Sequence, residues 1–96
     1  MHITIHGKRW FQRTYGNTYH SVMVEIDGNH AWSSGRHYGY GDQYLQTAFD
    51  WLDQSGLVPA RKEHPNGSHE CVWQWAERTG ITYSNIVSDV SRGKDL

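Results

Sequence analysis

His64, His69 and Cys71 lie close together in the sequence and are the residues that most resemble a metal-binding set. Zinc binds imidazole nitrogen and thiolate sulfur, so these three side chains have the chemistry of a partial tetrahedral site. A fourth ligand would have to come from elsewhere, such as His30 or His37, because the chain has one cysteine and no CxxC pair. We therefore do not favour a metal site, and interpret the three residues as polar loop histidines beside a small buried cysteine.

No other residue set has the spacing of a catalytic site. Nucleophilic catalysis needs a cysteine or serine with a base beside it, but Cys71 and His69 would point in different directions on a helix. The sequence contains no nucleophile-elbow, phosphate-loop or dinucleotide-binding motif. Asp50 and Asp53 are expected on the exposed side of a helix, as solvated carboxylates. We predict a protein that is not an enzyme and has no cofactor.

The segment from residue 8 to residue 13 combines positive charge with aromatic rings, through Lys8, Arg9, Trp10 and Arg13. Proteins that bind single-stranded nucleic acid use this composition, because cations hold phosphates and rings stack on bases. The formal net charge of the whole chain is −1, whereas nucleic-acid-binding domains usually carry a basic face. Nucleic-acid binding is therefore the alternative interpretation.

A second group of candidate contact residues is aromatic. Tyr38, Tyr40 and Tyr44 lie around two glycines, and tyrosine rings on a sharply turning backbone suit protein interfaces. Trp73 and Trp75 point in different directions on a helix, so Trp73 faces solvent if Trp75 faces the core. These four residues, Tyr38, Tyr40, Tyr44 and Trp73, are the candidate protein-binding residues. A packing role stays open for each: the tyrosines would seal the sheet against a helix, and Trp73 would pack under the preceding loop.

Length and composition predict one folded domain. Ninety-six residues suffice for one domain, and five Trp, six Tyr and two Phe supply a compact core. The low mean hydropathy of −0.79 comes from Gly and uncharged polar residues, not from a charged tail. No apolar run is long enough for a membrane span, the N-terminus lacks a signal-peptide pattern, and a single cysteine forms no internal disulfide. We expect a cytoplasmic protein without membrane association.

The first half of the chain predicts a small antiparallel sheet of three strands. Apolar and polar residues alternate in Met1–His6 and again around Val22 and Val24, which is the period of a strand. Asp27-Gly28-Asn29 is typical of a hairpin turn, and the third strand is predicted roughly over residues 30–37.

One main amphipathic helix is predicted to pack on one face of this sheet. Asp42 is the predicted N-cap, and Gly56 is the residue that ends the helix. The apolar residues between them form a single helical stripe: Leu45, Ala48, Phe49 and Leu52.

After this helix the sequence predicts a loop over residues 57–67, a second short helix and a C-terminal strand. Ser68 is the predicted cap of the second helix, which ends at Gly80. Residues 84–90 fit either a helical turn or a strand, and the strand is favoured. The chain, residues 1–96, is therefore predicted to be a single α+β domain.

Several strings occur together in this sequence: Trp10-Phe11, Gly16–Val22 (GNTYHSV), Tyr38–Tyr44 (YGYGDQY) and the end of the chain from Ser88 to Leu96. In that order they resemble a family of small uncharacterised proteins encoded by bacteriophages and prophages, over most of the chain. The resemblance implies a phage setting, and hence the host cytoplasm, but no activity.

Small phage proteins often act by binding a host or defence protein. By this analogy we predict a binding protein that docks on such a partner, with an anti-CRISPR-type inhibitor as one form. Nucleic-acid binding through Lys8–Arg13 stays the alternative, and a homo-oligomer is left open.

Overall fold

The computed structural model describes residues 1–96 and contains one five-stranded sheet and two α-helices, which confirms the predicted α+β class. Its elements are β1 (His2–Gln12), β2 (Asn17–Ile26), β3 (Asn29–Ser33), β4 (His37–Tyr38), α1 (Gln43–Ser55), α2 (Val72–Thr79) and β5 (Thr82–Val90), followed by a short 3₁₀ turn (Gly93–Asp95).

The sheet has the strand order β3-β2-β1-β5, and β4 pairs with the other end of β2. β1 is antiparallel to β2 and parallel to β5. The predicted antiparallel pairing of the first strands and the favoured C-terminal strand are both confirmed. The predicted third strand is divided into β3 and β4 by the segment 34–36. β5 is parallel to β1 because the chain crosses over through α1 and α2 before it returns to the sheet.

The core lies between one face of the sheet and the helices. β1 and β2 each contribute one alternating set of side chains to it, and the other set lies on the opposite face, which carries no helix. We call this opposite side the open face. The largest fully buried side chains are Trp75, Tyr44, Phe49, Ile3, Ile5, Leu52, His20 and Val24.

Tyr44 belongs to this core, so the prediction that it lies at a contact surface is wrong. Its residue is 1 % exposed, and its ring fills the space over Gly7 in β1. A Cβ at Gly7 would lie 2.5 Å from Tyr44 Cδ2, so only glycine leaves room for the ring. The Tyr44 hydroxyl accepts a hydrogen bond from Asn85 Nδ2 at 2.8 Å, which ties α1 to β5.

The helix ends are partly as predicted. Gly56 and Gly80 follow α1 and α2 with φ of 75° and 74°, the left-handed conformation that ends a helix at glycine. Asp42 precedes α1, but its side chain makes no capping hydrogen bond. α2 begins after Cys71 and not after Ser68, whose hydroxyl donates to Asn66 Oδ1 at 2.7 Å.

The loop between the helices is held to α1 by Arg61, which is 8 % exposed. Its Nε and Nη2 donate to Asp53 Oδ2 at 3.0 and 2.9 Å, and Nη2 also donates to Asp50 Oδ1 at 3.3 Å. The expectation of a solvated carboxylate is wrong for Asp53, whose side chain is 14 % exposed and neutralises a buried guanidinium. Asp50 is exposed as expected, with 51 % of its side chain accessible, and also contacts Arg61. Trp75 Nε1 donates to the Pro59 carbonyl at 2.7 Å and fixes the same loop to α2.

Candidate binding surfaces

The remaining aromatic candidates are exposed, but they lie at different features of the fold. Tyr40, Tyr38 and Trp73 are 75 %, 68 % and 58 % exposed. Tyr38 pairs with Tyr19 at the edge of the sheet, with its ring edge-on to the Tyr19 ring. Tyr40 lies at the start of α1, and Trp73 lies in the first turn of α2.

A cleft of about 340 Å³ lies where α1 begins and α2 passes beside it. Tyr40, Leu45, Phe49 and Val72 supply its apolar walls. The polar groups at this cleft come from Asp42, Gln43, Gln46 and Arg61, in addition to the backbone of Gly41. We call it the α1–α2 cleft. Trp73 directly follows Val72 in α2 but does not itself line the cleft.

The backbone on either side of Tyr40 is held by hydrogen bonds. Gly39 N donates to the Thr18 carbonyl at 3.0 Å, and Arg9 Nη1 donates to the Gly41 carbonyl at 3.3 Å. Gly41 has a φ of 60°, which glycine adopts without strain. Tyr40 is therefore presented on a positioned turn.

His20 lies buried beneath this turn. Its Nδ1 is 3.2 Å from the Gly39 carbonyl oxygen, and its Nε2 is 2.7 Å from Thr47 Oγ1. A carbonyl only accepts, so Nδ1 carries the hydrogen and Nε2 accepts from the threonine hydroxyl. Burial lowers the pKa of His20 from the usual 6.5, the Gly39 hydrogen bond opposes this, and nearby His37 lowers the pKa further. Arg9 of β1 lies opposite His20 in register.

The lowered pKa predicts that acid weakens the fold. The unfolded chain takes up a proton at residue 20 below about pH 6.5, whereas the folded chain resists it. We expect the free energy of unfolding to fall as the pH drops below this value, and to fall less in His20→Gln. Urea unfolding across this pH range measures both slopes, with His64→Gln as the exposed control. An unchanged pH dependence in His20→Gln would contradict this assignment.

Only part of the predicted nucleic-acid segment lies on the open face. Lys8 and Trp10 point there, while Arg9 lies on the helical side and donates to Asp89 Oδ1 at 3.0 Å. Arg13 follows the end of β1, beside a separate hollow that Trp10 also lines. Arg36, which no sequence pattern singled out, joins the open face. Arg36 belongs to the segment between β3 and β4, and only the three-dimensional structure shows its guanidinium over the Trp10 ring.

One row of the open face crosses three strands and contains two aromatic residues. Trp10 of β1 lies at its centre, with Tyr19 of β2 and Val90 of β5 as its neighbours in register. The Trp10 and Tyr19 rings are stacked with centroids 5.8 Å apart. The Arg36 guanidinium carbon lies 5.1 Å and 5.6 Å from these two centroids, within cation–π range.

The next row of the open face is polar. Lys8 of β1 pairs in register with Ser21 of β2 and Ser88 of β5. This row lies in a depression of about 360 Å³. Its border includes residues of β1, β2, β3 and β5 and of the chain end: His6, Met23, Ser33, Ile86 and Leu96.

The structure does not bring the zinc candidates together. No three His, Cys, Asp or Glu side chains of residues 1–96 are placed as metal ligands, so His64, His69 and Cys71 form no site. Cys71 is exposed at the start of α2, which corrects the expectation that it is buried. The backbone of His69 instead forms an isolated bridge with Glu63.

Known proteins give no indication of what these two surfaces bind. No family model, curated protein or solved structure matches the chain. Neither helix has the length and apolar character that crossing a membrane requires.

Proposed function

We propose that this chain is a phage-encoded binding protein without catalytic activity, which docks on a host or defence-system protein in the host cytoplasm. The α1–α2 cleft is its docking site, and Tyr40 and Trp73 are the anchors. The observation that carries the proposal is Tyr40, a tyrosine that is 75 % exposed at a cleft with apolar walls.

The cleft has the composition of an interface hot spot. Interface energy concentrates in aromatic anchors that pack beside apolar pockets with a polar border. Leu45 and Val72, which are partly buried, supply apolar surface, while Gln43 and Gln46 offer amide donors and acceptors around it. Because hydrogen bonds hold the turn at Gly39 and Gly41, docking costs little ordering of Tyr40.

The phage resemblance supports the kind of partner. Small phage proteins often act by binding a host or defence protein, and an anti-CRISPR-type inhibitor is one form of such action. Cys71 is exposed, and no basic side chain forms a hydrogen bond with its thiol to activate it as a nucleophile.

Docking through the cleft predicts that Tyr40→Ala combined with Trp73→Ala abolishes partner capture while the fold is retained. Both side chains are exposed, so the loss of unfolding free energy is expected to be about 1 kcal/mol or less. Loss of two anchors should weaken binding by about a hundredfold or more. Affinity purification from bacterial host lysate, quantified by mass spectrometry, gives the captured protein, and titration with that protein gives the affinity.

Tyr38→Ala is the matched control, because it removes an equally exposed tyrosine from the open face. The proposal requires this variant to retain the partner. Equal capture by the wild type and the double variant would overturn it.

Nucleic-acid binding is the second candidate function, favoured by one observation. Lys8, Trp10 and Arg36 meet on the open face, where cations and stacked rings lie side by side. This surface is separate from the α1–α2 cleft, so the two functions are tested independently.

A further inference from the structure

We infer that the open face contains a nucleotide-binding subsite, in which Lys8, Ser21 and Ser88 bind a phosphate and the aromatic row beside them receives the base. The ligand class is a nucleotide unit, either free or within a single strand. This inference develops the second candidate function and does not depend on the docking proposal.

The phosphate position follows from the register of three strands. Lys8 has Ser21 on one side and Ser88 on the other, so its side chain leaves the sheet between two serines on the same face. An ammonium group has three donors, and each serine hydroxyl has one. These groups match the several acceptor oxygens of a phosphate, and the charge makes the hydrogen bonds stronger.

Lys8 is free to bind such a group. Its Nζ donates to the Asp95 carbonyl at 3.3 Å, which leaves two donors. The salt bridges of the chain involve other cations, so no carboxylate lies within 4.0 Å of Lys8. The depression of about 360 Å³ around the row leaves room for the ligand.

The charges around the depression favour an anion. Glu25 Oε1 lies 3.1 Å from His6 Nε2, and Asp95 Oδ2 lies 3.3 Å from Arg92 Nε. Asp95 therefore has a cationic partner, whereas the imidazole beside Glu25 carries a charge only when it is protonated. Lys8 and Arg36 carry positive charge without a carboxylate partner, which leaves this part of the open face positive.

The base position follows from the spacing along β1. Trp10 is two residues beyond Lys8 on the same face, a separation of about 7 Å, which one sugar ring can bridge. Arg36 lies over the Trp10 and Tyr19 rings, and the backbone at Gly93 lies against both Trp10 and Arg36. A base would stack on the parts of the rings and of the guanidinium plane that Gly93 leaves uncovered. Tyr38, edge-on to Tyr19 and 68 % exposed, extends the aromatic row at the edge of the sheet.

Amide and indole NMR shifts during titration test the subsite. Probes are inorganic phosphate, uridine, uridine monophosphate and an oligouridylate, each added at low salt. The expected result is that the monophosphate shifts the Ser21 and Ser88 amides and the Trp10 indole, and binds more tightly than phosphate or uridine alone. An oligouridylate that binds about tenfold or more tightly than the monophosphate identifies a single strand as the ligand, and equal affinity identifies a free nucleotide.

Lys8→Gln should weaken monophosphate binding about tenfold or more, because it removes a charged hydrogen bond to phosphate. Lys62→Gln, an exposed lysine that does not line the depression, should change nothing. Thermal melting verifies that both variants fold. The subsite is overturned if the open-face resonances do not shift with any probe, if Lys8→Gln binds as well as the wild type, or if the monophosphate binds no better than phosphate alone.

Discussion

Replacing Tyr44 by alanine is expected to lower the free energy of unfolding by about 3–5 kcal/mol, one of the two largest effects in this chain. The Tyr44 ring is buried against Gly7, and residue 7 has no side chain that could fill the space left by the ring. Its hydroxyl also binds Asn85 Nδ2, so the variant loses a link between α1 and β5. Equilibrium urea unfolding, followed by tryptophan fluorescence, measures the difference.

Two variants separate the contributions at this position. Tyr44→Phe keeps the ring and leaves Asn85 without its partner, so a loss of about 1 kcal/mol is expected. Tyr40→Ala removes the same side chain from an exposed position and should cost about 0.5 kcal/mol or less. Similar losses for Tyr44→Ala and Tyr40→Ala would contradict the assignment of one ring to the core and the other to a contact surface.

Replacing Trp75 by alanine is expected to cost a similar amount, about 3–5 kcal/mol. Trp75 is 1 % exposed and packs edge-to-face on Phe49, with ring centroids 5.6 Å apart. Its Nε1 holds the Pro59 carbonyl, so the variant should also loosen the loop between the helices. Urea unfolding gives the loss of stability, and faster hydrogen exchange at the Arg61 and Lys62 amides reports the loosened loop.

Trp73→Ala is the matched control for this prediction, because it removes a tryptophan from the same helix. Trp73 is 58 % exposed, so a change of about 0.5 kcal/mol or less is expected. A larger loss for Trp73→Ala than for Trp75→Ala would show that the orientation of α2 is wrong.

The elements that the sequence predicts well are those that local patterns determine. The apolar stripe and Gly56 define α1, because the helical period and a left-handed C-terminal glycine are visible within one segment. The strict alternation before and after Val22 defines β2 in the same way.

The rest depends on contacts between distant residues. Tyr44 lies in a string of tyrosines and glycines that is typical of an exposed turn, and its burial depends on the space over Gly7 in another strand. β5 is ambiguous in sequence, because its apolar residues fit a helical turn until pairing with β1 selects the strand.

The two candidate surfaces also combine features that the sequence suggests with features that only contacts between distant residues create. Local patterns leave the exposure of Tyr40 and Trp73 open, and the apolar walls beside Tyr40 require the packing of α1 and α2. The row of Lys8 with two serines was not predictable, since β2 and β5 place Ser21 and Ser88 beside it only through the register of the sheet. Proximity in the sequence groups Arg9 with Lys8, although successive residues of a strand face opposite sides.

Site-specific photo-crosslinking tests the docking proposal most directly. A photoreactive phenylalanine analogue placed at position 40 or at position 38 reports which exposed ring touches the partner in living bacterial host cells. The proposal predicts one defined crosslinked species from position 40, lost when Trp73→Ala is added, and none of that species from position 38. Crosslinking of that species from position 38 and not from position 40, or no crosslinked species from position 40, would contradict docking through the α1–α2 cleft.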